Sequence, residues 1–184
     1  SSSRMPTITS GSLGTGDNVT WTQTFDTKNV GTNKTLTPAG TVSDSNSGNN
    51  YSVTFTSVST GTITAKALTV SGLTAVNKVY DSNTTATFTG TAALSGLVAG
   101  DDVTLGGTPA GTFADEHVAN GISVTVTGST ISGTDATNYT FIQHANLSAN
   151  ITAKALTVSG LTAVNKVYDS NTTATFTGTA ALSG

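Results

Sequence analysis

Thirty-four consecutive residues, Ile63 to Gly96, recur without a single change as Ile151 to Gly184, reading ITAKALTVSGLTAVNKVYDSNTTATFTGTAALSG in both places. The offset is 88 residues, and weaker matches keep it: Phe25 aligns with Phe113, and Asn50-Tyr51 with Asn138-Tyr139. Asp17-Asn18-Val19-Thr20 meets Asp101-Asp102-Val103-Thr104 at an offset of 84, which places a four-residue insertion near Gly106 to Gly111. A chain that restates itself in this way folds as units in series, each leaning mainly on its neighbours. Stalks, fibres and arrays are commonly built so, and enzymes rarely are. The expected organisation is a first unit over residues 6–96 and a second over 97–184. An alternative frame cuts the same period differently: 6–66 partial, 67–154 complete and 155–184 partial. Residues 1–5, with the only Arg (Arg4) and the only Met (Met5), resemble an expression scar.

The repeated unit reads as β-structure. Leu68 and Val70 alternate with polar residues, as do Ala86 and Phe88, Val103 and Leu105, Ile122, Val124 and Val126, then Tyr139 and Phe141. The intervening positions are mostly Thr or Ser, and the chain holds 40 threonines. A β-branched hydroxyl residue suits the outer face of a pleated strand, and a period of two marks half-buried strands. Turn signals separate these runs at Asn77, Asp81-Ser82-Asn83, Ala99-Gly100-Asp101, Asn120-Gly121 and Ser132-Gly133-Thr134-Asp135. The spacing predicts six or seven strands per unit. The fold expected is all-β, as tandem antiparallel Ig-like β-sandwich modules forming an elongated array, with β-grasp-like modules as the alternative. A short helical turn fits near Ser45–Asn49 or Thr134–Thr137. Tyr51 and Tyr139 each follow a polar corner and enter a strand, where a Tyr can bury its ring and return its hydroxyl to the backbone.

Charge narrows the function. Only 9% of residues are charged, against roughly 25% in an average soluble domain. Six Lys and one Arg spread along the chain form no basic run, so nucleic acid is not an expected partner. No apolar stretch approaches membrane-spanning length. With no Cys, disulfides and thiolate metal sites are absent, as suits a chain secreted unfolded.

The stretch Lys78-Val79-Tyr80-Asp81, followed by Asn83-Thr84-Thr85-Ala86-Thr87, resembles the YDG-type repeat of large bacterial surface proteins. Its copy from Lys166 to Asp169 and Asn171 to Thr175 resembles it equally. So do Gly100-Asp101-Asp102-Val103, Asn138-Tyr139-Thr140 and the Ala65 to Val70 junction. Ser82 and Ser170 stand where the family usually has Gly. The resemblance implies a repeat of filamentous-haemagglutinin-like adhesins, secreted to the bacterial cell surface, serving adhesion or biofilm formation, and not an enzyme. The partners implied are neighbouring repeats, with cell-surface glycan or other copies of the chain as further candidates.

Residue chemistry offers few alternatives. His117 and His144 align with Asn29 and Thr56, so neither belongs to the repeat. They read as surface residues. Asp101, Asp102, Asp115 and Glu116 are weak candidates for Ca²⁺, without the spacing of an EF-hand loop. No cofactor is expected. Tyr80, Asp81, Tyr168 and Asp169 read as structural: the Tyr packs at a strand end and the Asp accepts backbone N–H bonds in a turn. Lys78 and Asn138 are the pair to inspect for an intramolecular isopeptide link, and sequons such as Asn83 and Asn171 offer acceptors for glycosylation. Three roles compete: a stalk or spacer, a direct glycan- or matrix-binding module, and a filament subunit assembling by strand exchange.

Overall fold

The computed structural model describes residues 5–184. Ser1–Arg4, most of the segment read as a scar, lie outside the described residues. In chain order the strands are β1 (Asn18–Phe25), β2 (Gly31–Ser43), β3 (Val58–Ile63), β4 (Lys66–Ala75), β5 (Lys78–Val79), β6 (Thr85–Ala86) and β7 (Phe88–Ser95). They continue as β8 (Thr104–Phe113), β9 (Ala119–Ser132), β10 (Tyr139–Ile142), β11 (Leu147–Thr152), β12 (Thr157–Ala163) and β13 (Phe176–Ser183). One turn of 3₁₀ helix, Ala136–Asn138, precedes β10. At Ser45–Asn49 the chain instead makes turns wound on a buried Asp44 carboxylate. The fold is all-β in several sheets, one of them a curled half-barrel, with no α-helix among the described residues.

Contacts divide the chain into two compact units. The first holds the chain up to Thr69, with Leu94–Gly106 and Thr130–Ile142. In it β1-β2-β3 form an antiparallel sheet. Val19 faces Val42, Trp21 faces Gly40 and Gln23 faces Pro38, and these half-buried positions alternate with exposed threonines. Gly40 is required opposite Trp21, because a Cβ there would lie 2.5 Å from the indole ring. In the same unit β10 pairs with the start of β4, from Tyr139 opposite Lys66 to Ile142 opposite Thr69.

The second unit holds Val70–Ala93, Gly107–Ser129 and Gln143–Gly184. Its core gathers Ala75, Ala86, Phe113, Ile122, Val124, Ala149 and Ile151, with Tyr80, Phe88 and Leu147 packed at the margin. These residues come from the inward positions of the five-stranded sheet β5-β11-β9-β8-β6 and from the end of β4. Burying a side chain the size of Phe113 or Ile151 stabilises the fold by about 1.5–3 kcal/mol.

Two ladders depart from the antiparallel expectation. The β4/β10 and β5/β11 pairs are parallel. A parallel pair needs a long connection rather than a hairpin. That connection exists because the unchanged segment lies against strands that follow it by dozens of residues. Strand alternation identifies half-buried strands but carries no information on this direction.

The duplicated segment shows what is encoded locally and what is not. In both copies it makes the same hairpin: β4 neighbours β7, and β12 pairs with β13. Gly72 and Gly90 have φ of +88° and +87°, and Gly160 and Gly178 have +86° and +92°. A Cβ on Gly72 would fall 2.3 Å from the Thr91 carbonyl oxygen, so the kink admits only glycine. Burial, by contrast, does not repeat. Leu68 is 0% exposed and Leu156 62%; Val70 is 4% exposed and Val158 60%. Identical residues are core in one place and surface in the other, because only the first copy has β8–β11 to pack against.

Candidate functional site

The tyrosine corners are built alike in both repeats. The Val98 N–H donates to the Tyr139 hydroxyl at 3.0 Å, and that hydroxyl donates to Asp101 Oδ2 at 2.7 Å. In the first repeat the Gly14 N–H donates to the Tyr51 hydroxyl at 2.7 Å, and Tyr51 donates to Asp17. Burial, then the Asp101 carboxylate, raises the Tyr139 hydroxyl above its ordinary pKa. The bond to Asp17 does the same for Tyr51. Tyr139 thereby closes a loop onto β10, which it opens, and Tyr51, which lies in no strand, closes the equivalent loop of the first repeat. The hydroxyl is engaged on both sides, so it is a structural clasp and not a free acid.

A second network in the same unit was not foreseen from sequence. The Lys28 ammonium lies 2.9 Å from Asp101 Oδ1 and 2.9 Å from Asp135 Oδ1. Asp135, then Asp101, raises the Lys28 pKa. Asp101 is in turn held below its ordinary value by the Tyr139 hydroxyl and then by Lys28. Beside them the Val30 N–H donates to Asn138 Oδ1 at 2.9 Å, and Asn138 Nδ2 reaches Asn29 Oδ1 at 3.2 Å. Residues 28–30 of the first repeat are thus clipped to the Asp101, Asp135 and Asn138 corner of the next. No local spacing could have shown this, since the partners are 73 to 109 residues apart. The one available signal was the position itself, where Glu116 replaces Lys28 at the repeat offset.

The Tyr-Asp loops are organised by their lysines. Lys78 Nζ reaches Asp81 Oδ1 at 2.7 Å, the Asn83 carbonyl at 2.6 Å, Asn83 Oδ1 at 3.0 Å and the Thr85 carbonyl at 3.2 Å. It also stands 5.5 Å above the Phe113 ring, in cation–π range. Asp81 Oδ1 accepts the Asn83 N–H, and Asn83 Oδ1 accepts the Thr85 N–H, two successive Asx turns. Lys166 makes the same bonds to Asp169 and to the Asn171 carbonyl and Oδ1, and Asp169 and Asn171 repeat the two Asx turns. Ser82 and Ser170 sit at φ of +62° and +59°, the left-handed region where glycine is at ease. Tyr80 packs at the margin of the core, whereas its copy Tyr168 is exposed.

The four acidic candidates do not converge. Asp101 serves Lys28 and Tyr139; Asp102 accepts the Thr134 N–H and hydroxyl at 2.9 and 3.0 Å. Asp115 accepts the His117 N–H and pairs with the His117 ring, and Glu116 is half-buried on the same loop. Among the described residues no three of His, Cys, Asp or Glu gather as a metal-binding group. Asp101 and Asp102 thus serve different partners, and Asp115 and Glu116 lie on a separate loop. His144 Nδ1 lies 3.2 Å from the Ala145 carbonyl oxygen. Lys78 is taken up by its own loop and Asn138 by Val30 and Asp135, so the suggested isopeptide pair has other partners.

One concavity stands out in the first unit. A groove of about 770 Å³ lies on the inner face of the β1-β2-β3 sheet, lined by Val19, Trp21, Leu36, Pro38, Val42 and Phe55, and covered in part by Pro6–Leu13. Trp21 meets Phe55 edge to face at 6.1 Å between ring centroids.

Duplicated sheets, clasped tyrosines and lysine-centred turns define an all-β tandem-repeat module. The chain belongs to the YDG domain family, whose sequence profile matches residues 4–60 and 64–147. No curated protein matches the chain, and no solved structure does.

Proposed function

We propose that the chain is a non-catalytic spacer in the stalk of a secreted bacterial adhesin, in which successive repeats extend a surface fibre. The observation that carries this reading is the unchanged 34-residue segment, because identity over that length suits units that all do one mechanical job. The clip of Lys28, Val30 and Asn29 onto Asp101, Asp135 and Asn138 supports it, since it fastens one repeat to the next at a defined corner. The finer fold reading, an immunoglobulin-like sandwich module, draws support from the Tyr139 clasp. Direct glycan binding has less to work with, as Trp21 is the sole tryptophan.

Single-molecule stretching tests the spacer role. A polymer of tandem 88-residue units should give equal force peaks, spaced by roughly 300 Å of released chain at about 3.4 Å per residue. Extension without any force peak would overturn it.

A further inference from the structure

Of the asparagines in the chain, only Asn120 is followed by glycine. The pair sits in a β-bulge. Between the partners Ala119–Ile151 and Ile122–Ala149, β9 has two residues, Asn120 and Gly121, where β11 has one, Asn150. The first repeat has the same bulge: between Gly31–Ile63 and Lys34–Gly61, Thr32 and Asn33 of β2 face Thr62 of β3. The second position is left-handed in both, with Gly121 at φ +65° and Asn33 at φ +55°. Glycine and asparagine adopt that conformation most readily, so the backbone accounts for Gly121. It does not account for Asn120, since Thr32 fills the same place.

Asn120 is exposed, and among the described residues its side chain has no hydrogen-bond partner. Open space lies where a Cβ on Gly121 would stand, so nothing screens the main chain there. One bond restrains the pair: the Gly121 N–H donates to Asn150 Oδ1 at 2.8 Å. Asn150 is itself fixed, its N–H donating to Asn77 Oδ1 at 2.7 Å.

We propose that Asn120 is a site of self-modification, deamidating through a cyclic imide, with Asn150 as the brake on its rate. In the first step the Gly121 nitrogen gives up its proton and attacks Asn120 Cγ. The N–Cγ bond forms, the Cγ–Nδ2 bond breaks, and the amide group leaves as ammonia with that proton. One water molecule then opens the ring. Attack at Cγ leaves aspartate, and attack at the main-chain carbonyl leaves isoaspartate. Asn150 acts on the first step, because its Oδ1 holds the proton that must leave and keeps the peptide plane in place. The product carries a new carboxylate close in sequence to Asp115 and Glu116. Isoaspartate also lengthens the main chain beside Ile122, whose side chain is in the core. This chemistry is independent of the spacer role, since it concerns only the lifetime of the bulge.

The test incubates the full chain in mildly alkaline buffer. The peptide holding residue 120 is then followed by chromatography and mass spectrometry, which separate the amide from aspartate and isoaspartate. Asn150→Ala should convert on the order of 10-fold faster than the native chain, the rate equivalent of one lost hydrogen bond. Asn150→Asp keeps an acceptor oxygen for the Gly121 N–H and should convert at the native rate. Asn77→Ala loosens the same bulge without freeing the Gly121 N–H, and should also stay near that rate. Equal rates in Asn150→Ala and the native chain, including no conversion in either, would overturn the proposal. Equal acceleration in all three variants would overturn it too, by tracing the rate to a loosened fold.

Discussion

Leu68 and Leu156 sit in the same sequence, 34 identical residues around each, and differ only in what surrounds them. Replacing each by alanine separates local sequence from tertiary packing. Leu68 is 0% exposed, so Leu68→Ala removes three buried carbon groups, about 2.4 kcal/mol of transfer free energy at ~0.8 kcal/mol each. The cavity left behind adds to this, for a total of about 3 kcal/mol. In a unit of this size that lowers the melting temperature by on the order of 15 °C. Leu156 is 62% exposed, and Leu156→Ala should change stability by less than about 0.5 kcal/mol. The assay is thermal unfolding followed by circular dichroism, at concentrations low enough for the single molecule. Equal losses at the two positions would refute the assignment of β8–β11 as the source of the difference, as would no loss at Leu68.

Lys78→Met should cost about 1–2 kcal/mol in urea denaturation, since Lys78 satisfies three oxygens of its loop besides Asp81, and Lys166→Met should cost less on its more exposed copy. Ser82→Gly should raise the melting temperature by a few degrees, by relieving a residue held at φ +62°, and an unchanged or lower value would argue against strain there. Asp101 has a depressed pKa, set first by the Tyr139 hydroxyl and then by Lys28, so its contribution is present above about pH 4 and lost as pH falls below it. Asp101→Asn should flatten that acid limb of a stability–pH curve. His117 is shifted the other way by Asp115, and its proton resonances should titrate above 6.5 and return towards that value in Asp115→Asn.

Strand positions were legible because alternation is a local property: Ile122, Val124 and Val126 face inward in β9, as their spacing requires. The turns at Asp81 and Asn83 were legible for the same reason, being bonds between residues two apart. Strand direction was not. Whether β4 meets β10 in parallel depends on a partner about 70 residues later, and the antiparallel expectation missed both parallel ladders. The Lys28 clip was hidden by the same distance, and by the absence of a Lys at the equivalent position, where Glu116 stands. Nor does composition say which of two identical segments is buried, since Leu68 and Leu156 share every neighbour in sequence. For the acids, adjacency misled: Asp101 and Asp102 are neighbours in the chain but serve different partners, a Lys–Tyr pair and a Thr turn.

Hydrogen exchange read by mass spectrometry measures directly whether β8–β11 alone decide the state of the duplicated segment. Peptides cut from residues 66–86 and 154–174 are identical in mass, so each such peptide reports both copies at once. In dilute solution the account predicts two isotope envelopes of equal intensity. One is more protected, from the strand residues seated on β10, β11 and β8, and one is less so, since in it only Thr157–Ala163 are paired, with β13. A single envelope would contradict it, because identical sequences would then be in identical environments.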